Sequence, residues 1–240
     1  PSARAVDSFV VPNASEAVEG DSNDSIPFSS MGGNTRYQQV YLDDDIPPGP
    51  FPIYGIAFRP NGAEPAQPSF SFQIPDVDIY LVTTEQSTNL STTFGLNIGS
   101  DYTLVASGPL PVASAASGPG GGPLAFDIEV WFDQPFAYTG GNLLLDVVLP
   151  PYETSGSPIF DAVSNGPDPV ARVCIYADND ANAEFDGQAS AYALAHRLKR
   201  DARKLAGADQ DQPDRPTRDV QVFVPRQDGT DWADIWLARL

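Results

Sequence analysis

Proline and glycine together occupy 44 of the 240 positions, 24 and 20 respectively. They cluster as Pro47-Pro48-Gly49-Pro50, Pro60-Asn61-Gly62, Gly118-Pro119-Gly120-Gly121-Gly122-Pro123 and Gly140-Gly141. Each cluster imposes a turn through a fixed or positive φ. Punctuation of this density argues for many short strands joined by turns. The stretches between the turns agree, being alternating or apolar at Arg36–Tyr41, Ile53–Phe58, Val77–Thr83, Thr103–Ser107, Ala125–Phe132, Asn142–Leu149 and Val170–Tyr176. In Ala125–Phe132, the residues Phe126, Ile128, Val130 and Phe132 fall on one face of a two-residue period, and Asp127, Glu129 and Trp131 on the other. One face packs inward and one meets water, which is the pattern of an antiparallel sandwich. A length of 240 residues suits one large all-β domain. The expected fold is therefore all-β: an antiparallel β-sandwich, jelly-roll-like, with a short C-terminal α/β extension.

Charge divides the chain near residue 190. Residues 1–190 carry four cations, Arg4, Arg36, Arg59 and Arg172, against 24 acids, a net of −20. Residues 191–240 carry nine cations and eight acids. The whole chain, at −19, would repel phosphate, so nucleic acid is excluded as a partner. The division suggests a leader remnant and linker at 1–9, an acidic β-sandwich domain at 10–190 and a basic extension at 191–240. In the extension, Leu194, Leu198, Ala202 and Leu205 recur at helical spacing, with Arg197, Lys199, Arg200, Arg203 and Lys204 around them and Gly207 as a stop. Val220, Val222 and Val224 alternate as a strand. Trp232, Ile235 and Trp236 fit either a helix capped by Thr230 or a hairpin return strand, and the helix is the preferred reading.

The single cysteine, Cys174, forbids an internal disulfide framework. The leucine run Leu143-Leu144-Leu145 is broken by Asp146, and no apolar run approaches the ~20 residues that span a bilayer. Ala3-Arg4-Ala5 reads like the A-x-A end of a secretory signal. No lysine occurs through residue 190, while Asp, Asn, Thr and Gly are dense. Secretion to the exterior or cell surface of a bacterium is the expectation.

Ordered motifs carry a family resemblance. They are Val11-Pro12-Asn13-Ala14, Gly20-Asp21-Ser22-Asn23, Thr35-Arg36-Tyr37-Gln38-Gln39-Val40-Tyr41, Ile56-Ala57-Phe58-Arg59-Pro60, Ser91-Thr92-Thr93-Phe94, Asn97-Ile98-Gly99, Ala125-Phe126-Asp127-Ile128, Pro135-Phe136-Ala137-Tyr138 and Gly141-Asn142-Leu143-Leu144-Leu145-Asp146. Over about residues 10–195 the chain resembles a secreted bacterial domain family common in PEP-CTERM-sorted exported proteins. The resemblance implies an exported β-sandwich at the cell surface or in the matrix and brings no catalytic residues. In that family Tyr192–Arg197 would form the last strand, against the helical reading of Leu194–Leu205.

Hydrolase chemistry finds little support. Asp127-Ile128-Glu129 resembles the E-x-D-x-E strand of laminarinase-type glycosidases, but Ala125 stands where the nucleophile belongs. Gly20-Asp21-Ser22 resembles the nucleophile block of GDSL-type esterases, yet no strand precedes it and His196, the one histidine, lacks its acidic partner. Cys174, within Val173-Cys174-Ile175, reads as a buried strand thiol. One His and one Cys cannot build a multi-imidazole or multi-thiolate metal centre. Hard-cation chemistry stays open. Asp178, Asp180, Asn182, Glu184 and Asp186 alternate oxygen ligands through one loop and suit Ca²⁺, although Ala183 stands where an EF-hand turn needs glycine. Asp43-Asp44-Asp45 is a weaker candidate. Trp131, beside Asp127 and Glu129, can stack on a sugar ring while the carboxylates accept its hydroxyls.

Two functions result. The first is a non-catalytic extracellular or cell-surface module, structural or adhesive, whose partner is polysaccharide or a second copy of itself. The rival is a carboxylate-dependent polysaccharide-active enzyme using Asp127, Glu129 or Asp78.

Overall fold

The computed structural model describes residues 7–29, 34–63, 66–118, 122–152, 158–163 and 170–177, with 221–223, 232–233 and 235–239. Among these lie β1 (Asp7–Val11), β2 (Ser22–Asp24), β3 (Asn34–Tyr41), β4 (Phe51–Phe58), β5 (Phe70–Thr84), β6 (Thr103–Ser114), β7 (Ile128–Tyr138), β8 (Asn142–Leu149), β9 (Phe160–Val163), β10 (Val170–Ala177), β11 (Gln221–Phe223), β12 (Trp232–Ala233) and β13 (Ile235–Arg239). The fold is all-β. Strand orders are β1-β13-β4-β7, β11-β10-β3-β8-β5-β6 and β12-β9-β2, with antiparallel neighbours throughout.

The chain passes repeatedly between the two larger sheets, from β3 to β4, β4 to β5, β6 to β7 and β7 to β8. The last crossing runs through Gly140 and Gly141 at φ 112° and 92°, values that L side chains rarely adopt. Ile53, Ile56, Phe58, Ile128, Val130 and Phe136 of the four-stranded sheet share one buried cluster with Tyr37, Tyr41, Leu143, Leu145, Val147, Ile79 and Leu81 of the six-stranded sheet. This layering is compatible with the expected sandwich. All seven strands read from the sequence are present, with β5 and β6 longer than their apolar cores suggested.

Two features set the environment of the side chains discussed below. Residues 85–102, between β5 and β6, cover part of the second face of the six-stranded sheet. Gln38 Nε2 donates to Phe94 O there, and the Tyr102 hydroxyl donates to Asp146. That second cover explains why Leu143, Leu144 and Leu145 are all fully buried although successive strand residues face opposite ways. The other feature is a seam between sheets. Around Phe132–Pro135 the β4–β7 register slips between Ile53 and Gly55, and the irregular stretch of β7 turns to β6. Asp133 Oδ2 accepts from Ser107 N at 3.1 Å, and Gln134 Nε2 donates to Leu104 O at 2.6 Å. Side chains thereby satisfy part of an edge that would otherwise offer itself to another strand.

The terminal residues correct one expectation. Trp232, Ile235 and Trp236 lie on strands and not on a helix: Trp232–Ala233 pairs with β9, and Ile235–Arg239 lies between β1 and β4. A strand with hydrogen-bonding neighbours on both sides satisfies more backbone than an isolated terminal turn of helix, and Trp and Ile favour the pleated surface. The strand expected around Val222 is found as β11, paired with β10. The helix expected over Leu194–Leu205 lies outside the described residues.

Candidate functional site

The strand period places Glu129 and Trp131 on the outer face of β7, both exposed, while Ile128 and Val130 between them are buried. Trp131 is 51% exposed, and its indole Nε1 donates to Glu129 Oε2 at 3.1 Å. Across the strand pair, Trp131 stands opposite Gly55 of β4. A Cβ at Gly55 would meet Val130 O at 2.7 Å and Trp131 Cε3 at 3.3 Å, so the missing side chain gives the indole room to lie against β4. The hydrogen bond to Glu129 holds the indole N–H, and about half of the residue stays exposed to water.

Asp127 departs from the group in which the sequence placed it. The strand begins at Ile128, one residue later, and Asp127 Oδ2 accepts from Ala115 N at 2.9 Å, just past the end of β6. Asp127 thus fastens the β6–β7 connection. Glu129 and Trp131 are joined directly, and Asp127 is tied elsewhere. Asp78 accepts from the Ser107 hydroxyl on the exposed β5–β6 pair.

The sequence reading missed three internal ion pairs found among the described residues. Arg36 donates through Nε and Nη2 to both oxygens of Asp146 at 3.1 and 2.8 Å. Asp146 Oδ2 also accepts from Gln38 Nε2 and the Tyr102 hydroxyl, each at 2.9 Å. The guanidinium lies 4.9 Å from the Phe94 ring centroid, and Tyr102 stacks on Tyr80 at 4.4 Å. Burial and the Asp146 charge both push the Tyr102 phenol up, so it stays a donor.

Arg59 follows β4 and is 1% exposed. Its Nε donates to Asp161 Oδ2 at 2.6 Å, Nη1 to Ser15 O at 2.9 Å, and Nη2 to Val18 O. The Phe126 ring lies 5.0 Å from the guanidinium. Asp161 Oδ1 accepts from Gly20 N at 2.8 Å, and Glu19 Oε1 accepts from Gly62 N and Ala63 N. Burial pushes the Asp161 carboxyl up to about 6, against the opposing pull of Arg59. A Cβ on Gly20 would fall 2.0 Å from Ala162 O, so this close approach requires glycine. The third pair joins Arg172 of β10 to Asp24 of β2 at 2.5 Å. One signal in the sequence pointed to such pairs: Asp146 interrupts Leu143-Leu144-Leu145 and Val147-Val148-Leu149, and a carboxylate buried there needs a cation.

Other sequence candidates separate by position. The calcium loop Asp178, Asp180, Asn182, Glu184 and Asp186 lies outside the described residues, as does His196. Asp43–Asp45 forms a 3₁₀ turn whose Asp43 N donates to Asn142 Oδ1 at 3.0 Å. Among the described residues no three His, Cys, Asp or Glu side chains group to hold a metal. Cys174 is buried, and burial pushes its thiol up to about 12, which leaves it protonated and unreactive. Ser22 of the Gly20-Asp21-Ser22 motif sits in β2, paired with Ala162 of β9. Among the described residues no helix is long and apolar enough to cross a membrane. No family model, curated protein or solved structure matches this chain.

Proposed function

We propose that this chain is a non-catalytic module of the bacterial exterior or cell surface, structural or adhesive, engaging polysaccharide or further copies of itself. The observation that carries this reading is where the charge goes. Arg36, Arg59 and Arg172 are drawn into internal ion pairs, while among the described acids with assigned burial only Asp146 and Asp161 are buried. Like charges outside favour a soluble body that resists collapse onto its neighbours. Among the described residues the Asp161 carboxyl is the acid shifted upward, yet it is 1% exposed and both its oxygens are engaged. A general acid needs reach to a substrate proton, which this one lacks. The resemblance to domains of PEP-CTERM-sorted proteins supports an exported location.

The test uses the full chain. It should sediment with insoluble matrix polysaccharide, or form oligomers in sedimentation velocity, while releasing no reducing sugar from the same material. Sugar release abolished by Glu129→Gln would replace this reading with a carboxylate-dependent enzyme. A chain that neither binds nor assembles would overturn the module.

A further inference from the structure

We propose that the outer face of β7 over β4 is a binding site for a neutral polysaccharide, with one pyranose ring stacked on the Trp131 indole. This deepens the module reading and rests on it. A sugar ring presents axial C–H groups from a flat face and hydroxyls from its rim. Its complement is an aromatic plane with acceptors at the edge. Trp131 supplies the plane. It is 51% exposed, its indole N–H is held by Glu129 at 3.1 Å, and it lies opposite Gly55, so the ring is oriented before any ligand arrives. A pre-oriented aromatic loses little side-chain freedom on binding, which is where affinity for a weakly interacting ligand is usually lost.

Glu129 has two tasks in this arrangement. Oε2 accepts from the indole, and the remaining acceptor capacity of the exposed carboxylate serves a sugar hydroxyl.

Charge sets the ligand class. The region up to residue 190 has a net charge of −20, and Glu129 stands at the platform itself. A uronate or sulfated chain would bring like charge to that surface. A neutral glucan, mannan or xylan would not.

Affinity electrophoresis of the full chain through gels containing hydroxyethyl cellulose, galactomannan, arabinoxylan or polygalacturonate tests the site. The expected result is retardation by at least one neutral polymer and none by polygalacturonate. Trp131→Ala should weaken that retardation by roughly tenfold or more, as loss of a central aromatic anchor does. Trp131→Phe should recover part of it, and Glu129→Ala should fall between Trp131→Ala and the parent. Melting curves establish that each variant is folded. The inference is overturned by four results: equal retardation of parent and Trp131→Ala, retardation by polygalacturonate alone, no retardation by any polymer, or an effect of Trp131→Ala on sedimentation only. Any of these leaves the module standing if the chain still binds insoluble matrix or assembles, so the two failures are distinguishable.

Discussion

Two buried ion pairs in this molecule solve the same problem from opposite ends. At Asp146 the carboxylate is the hub. It collects Arg36, Gln38 and Tyr102, drawing together β3, β8 and the covering residues 85–102. At Arg59 the guanidinium is the hub. It collects Asp161 and the carbonyls of Ser15 and Val18, from a segment that has few backbone partners of its own. The difference follows from what each region lacks. A sheet row is already hydrogen-bonded along its backbone and needs only its side-chain charge satisfied. An irregular segment needs donors for its carbonyls, and the five-donor fork of arginine supplies them.

The comparison breaks most sharply at the two arginines. Arg59→Met should cost about 3–5 kcal/mol in urea unfolding, because it strands a buried carboxylate and several carbonyls together. Arg36→Met should cost less by about 1–2 kcal/mol, since Gln38 and Tyr102 still donate to Asp146. Equal losses would show that hub identity does not matter. Next comes pH. The Asp161 carboxyl is raised to about 6 in the folded chain, so between its unfolded value near 3.8 and 6 the native state holds the extra proton. Its contribution to stability is therefore greatest at acid pH and declines as pH rises through 6. Asp161→Asn should remove that declining component from urea midpoints measured between pH 4 and 7; an unchanged profile would contradict it. The smallest effect is Tyr102→Phe, which removes one of four donors to Asp146 and should cost roughly 1–2 kcal/mol, a loss checked by thermal melting.

Much of this fold is legible in the sequence, for reasons that also explain what is not. The strand Asn142–Leu149 was found to the residue because its apolar run is bounded by Gly140-Gly141 and Pro150-Pro151. The alternation of Ile128 to Trp131 gave the correct faces of β7, but a period has no marker for its first member, so Asp127 was counted into a strand it precedes. Phe160–Val163 and Asp7–Val11 are hard to read because such short stretches, FDAV and DSFVV, show no regular alternation. β13 was misread because Trp and Ile at short spacing satisfy helix and strand alike, and only the neighbours β1 and β4 decide between them. The ion pairs were hidden by distance. Arg36 and Asp146 are separated by 110 positions, and Arg59 and Asp161 by 102, so composition records four formal charges and no pairing.

Drawing the arginines inward has a consequence for digestion. Trypsin requires an accessible basic side chain in a segment that can be unfolded into its cleft. Arg36 and Arg172 lie within paired strands, and Arg59 is sealed beneath the segment 15–20. Lysine is absent until position 199. While folded, the stretch from Arg36 to Arg172 offers that protease no foothold, and a body of this kind would outlast neighbours that wear their basic residues outside.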